Sequence, residues 1–419
     1  MPSHYHNFTN SLPWLILFLE AVFIVFFYFS DYDEAMTSIS YPDFQDVNHM
    51  VIFGFGFFLA FLKRYGFSSI GFNLLIIVLG VQCSVLIEEL LLFLPDREIE
   101  DDMKRLTKAT LSLTAVVIST GAVLGKINPV QLSVMTVVEM VAFRMSRWIH
   151  TTFLQVSDNI SMMHVHLFGA YFGLAASSRF SEPLPGSEKN ANTPKSDLLS
   201  MLGTVFLWVF WPSFNSVLAE DKSIVICNTY FALAVSTVTA FMLSALTTKD
   251  GKFKMTHIHS AVLAGGVAVG YAAPIIDYPW IAMILGLLAS VIAILGSYCL
   301  PRCLNPVLKI HDTSGVHFTF GLPSMLGALA HIVLLVIQNW TDTPSLHLWV
   351  TIYIWAFFLT MDVALITGFI TGIILNFKLF KTIPVSKYFE DQLYWEVSFN
   401  VKLIVWEYVG HLVALDEEL

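Results

Sequence analysis

Two side chains able to handle charge sit in an otherwise apolar run. Asp158 and His166 lie eight residues apart in DNISMMHVHLFGAYFGL, from Asp158 to Leu174. On a regular helix that spacing is slightly over two turns, about 12 Å along the axis, so both fall roughly on one face. A carboxylate at a helix start can cap free N–H groups and complement the dipole. A neutral imidazole buried in hydrocarbon can hold and relay a proton, or it can simply hydrogen-bond a neighbouring helix. His164 falls about 200° round the helix from His166, so the pair cannot share a ligand, and the same holds for His257 and His259. No P-loop, zincin, nucleophile-elbow or dinucleotide-binding pattern occurs, so neither an enzyme nor a metal or other cofactor is implied.

The surroundings of these residues are set by composition. Of 419 residues 56% are hydrophobic and 13% charged, with a mean hydropathy of +0.69, which places the chain in a bilayer. Stretches of about 18 or more apolar residues cross the hydrocarbon as helices. Spans are expected over 12–29, 47–62, 71–94, 109–124, 130–143 and 160–176, then 199–218, 224–246, 258–275, 280–300, 316–337 and 348–377. The second and fifth are the weakest. Twelve spans put both termini on one side, and most of the 22 Lys and Arg fall on the side that makes the termini cytoplasmic. Arg97, Lys104, Arg105 and Lys108 run against that bias. The first apolar run contains Glu20 and lacks a cleavage pattern, so it reads as a span rather than a signal peptide.

The net charge of -10 is assigned to solvated loops such as Asp31, Asp33, Glu34, Asp43 and Asp46, and nothing points to nucleic acid. The four cysteines, Cys83, Cys227, Cys299 and Cys303, show no disulfide spacing; the last two flank a helix end and carry a weak palmitoylation signal. Asn7, Asn159 and Asn339 match the glycosylation pattern in unfavourable positions. Intramembrane Glu20, Glu88, Glu89, Glu139, Arg144 and Asp362 are expected in interhelical pairs or near the interfaces.

A polar, proline-bearing segment from Ser181 to Asp197 separates six spans from six. It divides a transmembrane domain over 1–379 into halves of about 1–180 and 198–379, followed by a cytoplasmic tail over 380–419. His166 precedes Gly173 by seven residues and Phe320 precedes Gly327 by seven, a hint of internal duplication.

Several ordered strings resemble the Rh branch of the ammonium transporter family: GAVLGK from Gly121, HLFGAYFGL from His166, FWPSFNS from Phe210, HSAVLAGGVAVG from His259 and KYFEDQLYWE from Lys387. The likeness spans nearly the whole chain and is greatest to the erythroid Rh blood group D/CE polypeptides, as in LEA from Leu19 and NTYFALAVS from Asn228. The resemblance implies an all-α polytopic bundle built on an inverted repeat, assembling as a trimer in the plasma membrane. It also implies a narrow pore through each subunit for ammonia derived from ammonium. In conducting members two phenylalanines precede a pair of hydrogen-bonded histidines at the midplane. Asp158 falls on the family's aspartate, His166 on the first pore histidine and Phe214 on one gate phenylalanine, with Asn215 following it as in the family.

Two departures bear on function. Phe320 occupies the second pore histidine's site, with His317 one turn earlier at a different family position, and Leu111 replaces the other gate phenylalanine. A phenyl ring can neither relay a proton nor offer a polar partner, so conduction is expected to be weakened. The resemblance therefore implies either a slow ammonium/ammonia channel using Asp158, Phe214 and His166, or a non-conducting subunit. The latter would join a conducting Rh glycoprotein in a heterotrimer and reach a membrane-skeleton adaptor through the tail. A path for carbon dioxide has family precedent but no residue here that distinguishes it.

Overall fold

A spanning chain must pair its backbone groups within the segment, and all regular structure among the described residues is helical. The computed structural model describes residues 6–29, 39–92, 101–183, 188–248, 250–303, 310–340 and 343–396. Asp31, Asp33, Glu34, Arg97, Lys249 and Lys309, the tail beyond 396 and the side chains of Asn7, Cys299 and Cys303 lie outside this description.

The first half contains α1 (His6–Phe29), then α2 (Tyr41–Asn48), which passes through a π-helical turn (His49–Gly54) into α3 (Phe55–Phe58). Next come α4 (Gly66–Leu92), α5 (Asp102–Val123), α6 (Pro129–Thr152), α7 (Asp158–Met163) and α8 (Val165–Ser177). The second half has α9 (Pro194–Ser216), α10 (Lys222–Thr247), α11 (Met255–Val269) and α12 (Pro279–Cys303). A second π-helical turn (His317–Gly321) then opens α13 (Leu322–Gln338), and α14 (Thr343–Leu375) follows. Each expected span coincides with one of these helices or helix pairs. Eight helices among the described residues are long and apolar enough to cross a membrane alone. The others depart for visible reasons: the second span is interrupted by its π turn, the fifth (α6) carries Glu139, Arg144 and Arg147, the sixth breaks at His164, and α11 is short.

Local chemistry starts the helices where they start. Asn128 accepts from the Gln131 N–H, Gln131 returns a bond to Asn128, and Pro129 supplies a pre-set φ at the first turn of α6. Thr193 and Ser196 form the corresponding box on α9.

Close packing without a hydrophobic drive between helices needs small residues. Gly169 and Gly173 let α8 meet the backbone of α5, where an added Cβ would stand 2.4 Å from the Ala115 oxygen and 2.6 Å from Ser119 Cα. Gly327 lets α13 meet α11 in the same way, 2.2 Å from the Ala268 oxygen. Gly173 and Gly327 thus both sit at close backbone contacts between helices.

The segment after α14 crosses one end of the bundle and is tied down. The Asp391 carboxylate accepts the Phe67 and Ser68 N–H groups at 3.0 and 2.8 Å, capping α4. The Phe389 N–H donates to the Gly125 carbonyl, Trp395 Nε1 donates to Ser68 Oγ, and Lys189 Nζ pairs with Glu390 at 2.6 Å. Asp391→Ala should lower the thermal midpoint of the solubilised protein, a loss of about 1 kcal/mol expected of a removed cap; Asp391→Asn should retain most of the stability. An unchanged midpoint for the alanine variant would remove the capping role.

Candidate functional site

The helix that begins at Asp158 stops at Met163 and resumes at Val165, with His164 as the hinge (φ -62°, ψ -9°). The regular-helix geometry expected between Asp158 and His166 therefore holds only approximately. The two imidazoles meet different neighbours, His164 facing His150 and Thr360 and His166 facing Trp211, Phe214 and Phe320.

Asp158 does not cap its own helix through a side-chain bond; it is held by cations. Lys108 Nζ from α5 lies 2.6 Å from its carboxylate, and Arg147 from α6 ion-pairs with the other oxygen. Arg144 pairs with Glu88 at 2.5 Å, and Arg105 with Glu89 and Asp102. The side chains of Lys108 and Arg147 are 6% exposed and that of Asp158 37%, so the positive partners are the buried members. A buried charge stripped of its partner costs about 3–5 kcal/mol, so Asp158 pins α7 to α5 and α6. Glu20 likewise accepts from Gln82 across α1 and α4, and Glu139 meets Ser119 at 2.5 Å.

His166 is fully buried in a stack of rings. The Trp211 ring lies 5.6 Å away at 17°, and the Phe320 ring 6.4 Å away at 10°. Phe214 presents itself edge-on at 5.6 Å. Phe320 also packs on Phe55 at 5.9 Å and Phe58 at 6.1 Å, and Phe58 stacks on His259 at 3.6 Å. His259 Nδ1 is satisfied by Ser200 Oγ at 2.6 Å. His166 itself approaches the Met163 backbone without completing a hydrogen bond. His166 thus meets Phe320 of the π turn among aromatic faces, with neither ring nitrogen hydrogen-bonded.

The other sequence-selected residues take different places. Asn215 clamps helices together, donating to Thr229 Oγ1 at 3.2 Å and to the Gly266 carbonyl at 3.1 Å. Leu111 is buried in the same core. The His317 ring packs edge-on against Tyr171 at 5.6 Å and has no ring contact with His166. Trp211 and Phe58 were not singled out by sequence. Trp211 stands one turn before Phe214 in FWPSFNS, and that i, i+3 spacing was the available signal.

His164 closes a second polar group on the far side of α8. Thr360 Oγ1 of α14 lies 2.8 Å from His164 Nδ1 and 3.3 Å from His150 Nε2, and the two imidazole centroids are 4.8 Å apart.

The π turn that carries Phe320 is preset from a loop. The Asp312 carboxylate accepts the N–H groups of Gly315, Val316 and His317 at 2.9, 3.0 and 2.9 Å. Beside it the buried Lys126, between α5 and α6, donates to Ser177 Oγ at 2.7 Å and to the His311 carbonyl at 2.6 Å.

A match to the ammonium transporter family covers residues 12–392. The chain belongs to that family. An RH-like protein of Macaca mulatta is 42% identical, with 92% of this chain and 95% of the relative covered. The blood group Rh(CE) polypeptide of Homo sapiens is 41% identical over the same shares. In structure, Rh50 of Nitrosomonas europaea, described with the mechanism of conduction by the Rhesus protein family of channels, superposes with a TM-score of 0.72. It is 26% identical, and 90% of this chain and 98% of Rh50 are covered. Mep2 of Saccharomyces cerevisiae, at 16% identity, TM-score 0.66 and coverage of 82% and 86%, shares the fold. This ammonium transporter family member is a multi-pass membrane protein.

Burial pushes the Lys126 amine down to about 7, with Asp312 and Glu182 opposing the shift. Between about 7 and the ordinary value of 10.5 the unfolded chain binds a proton that the folded chain lacks, so stability rises with pH across that window. The slope is at most about 1.4 kcal/mol per pH unit. Thermal unfolding from pH 7 to 10 should show this rise in the parent and a flatter profile in Lys126→Met. Identical profiles would contradict the assignment.

Proposed function

We propose that this Rh-type chain mediates or supports ammonium/ammonia movement across the plasma membrane with low conductance of its own. The reading rests on one contact: the His166 ring lies parallel to Phe320 in a fully buried stack. A bare cation cannot cross a low-dielectric tube without compensating groups, and a neutral solute there needs polar partners. One imidazole flanked by Trp211, Phe214 and Phe320 offers few. In this reading Asp158, His166 and Phe214 lie along the route, Phe320 obstructs it, and the protomers assemble as Rh-family oligomers with both termini cytoplasmic.

The pairing of Asp158 with Lys108 and Arg147 favours a second reading, a non-conducting subunit that joins a conducting Rh glycoprotein. A carboxylate already neutralised by two cations is a poor receiver for ammonium.

Expression in cells lacking ammonium transport separates the cases. The parent chain should support little uptake, Phe320→His should raise it several-fold, and adding His166→Ala to that variant should abolish the gain. Robust uptake by the parent that survives His166→Ala would remove this pore assignment. Co-purification with a conducting Rh glycoprotein supports the subunit reading, and strictly homomeric particles count against it.

A further inference from the structure

Asp362 is exposed near the middle of α14, whose apolar span covers Leu346–Leu375. Its depth follows from the register of α14 on α8. Thr360 bonds His164, a Cβ on Gly368 would stand 2.4 Å from the Phe172 oxygen, and one on Gly372 would stand 2.8 Å from the Ala176 oxygen. This constant register sets Asp362 level with His166, deep in the hydrocarbon. The face of α14 that enters the bundle carries Ala356, Thr360, Ala364 and Thr371, all buried. Asp362 lies on the opposite face, among exposed Phe358, Ile366 and Phe369.

An ionisable side chain at mid-membrane ordinarily faces a bundle interior and finds a partner there. Asp362 faces outward, and no hydrogen bond or ion pair reaches it from the described residues. A second copy of this chain has no suitable cation among the described residues. Arg105, Lys108, Arg144 and Arg147, the buried basic residues of α5 and α6, are engaged with Glu89, Asp158, Glu88 and Asp158 of their own chain, and Lys104 lies in the first turn of α5, away from mid-span.

We propose that the outward face of α14 around Asp362 docks a transmembrane helix of a different polypeptide, one that carries a lysine or arginine at mid-bilayer. The carboxylate meets the cation away from water, where such a pair is strongest, while Phe358, Ile366 and Phe369 supply the packing surface around it. The site stands apart from the His166 stack and does not depend on whether that axis conducts.

The test co-expresses the full chain with tagged single-span helices of leucine, one with a central lysine and one with leucine throughout. Association is read by energy transfer in the membrane and by co-purification in mild detergent. The lysine helix should bind on the order of tenfold better than the leucine helix, a difference of about 1.4 kcal/mol. Asp362→Leu should erase the preference, and Asp362→Lys should transfer it to a helix with a central glutamate. Equal binding of both helices, or a lysine preference that survives Asp362→Leu, overturns the proposal. So does a fall in the protomer count of the purified homo-oligomer on Asp362→Leu, which would make the occupant a second copy.

Discussion

A polar ring inside a bilayer has no water to satisfy it, and His166 stands fully buried among aromatic rings with neither ring nitrogen hydrogen-bonded. Trp211 from α9 and Phe320 from the π turn before α13 lie nearly parallel to the imidazole, and Phe214 closes the edge. Much of the architecture serves that meeting. Gly169 and Gly173 bring α8 against α5, Gly327 brings α13 against α11, and Asp312 holds the backbone turn from which Phe320 projects.

Charge is handled by a different device at the Asp158 end. Three acidic residues on α4 and α7, Glu88, Glu89 and Asp158, are matched to Arg105, Lys108, Arg144 and Arg147 on α5 and α6. Such pairs add little net stability over apolar packing, but removing one partner is costly, so they fix the relative positions of the four helices. The same pairing changes what this end of the bundle offers to a cation, because the Asp158 carboxylate already has two positive neighbours.

Much of this was legible in the sequence because hydrophobic runs and glycine spacing are local signals. The helical spans follow from short windows, and the family from its ordered strings. Pairings across distant segments were not. Nothing local couples Asp158 to Lys108, or His164 to Thr360, since those contacts exist only once α8 has been placed between α5 and α14. Arg105 and Lys108 read as outer-loop charges that violated the positive-inside bias; the fold instead buries them in pairs, where they are no longer loop charges. Trp211 was overlooked because tryptophan on an apolar helix usually reads as packing, and only its position one turn from Phe214 marks it.

The stack at His166 makes one direct demand on behaviour. Purified chain reconstituted into liposomes containing a pH-sensitive dye, mixed rapidly with an ammonium gradient, reports ammonia entry as internal alkalinisation. Rates close to those of protein-free liposomes are expected for the parent. A rate well above that background, lost on replacing His166, would show that the ring pair leaves an open path.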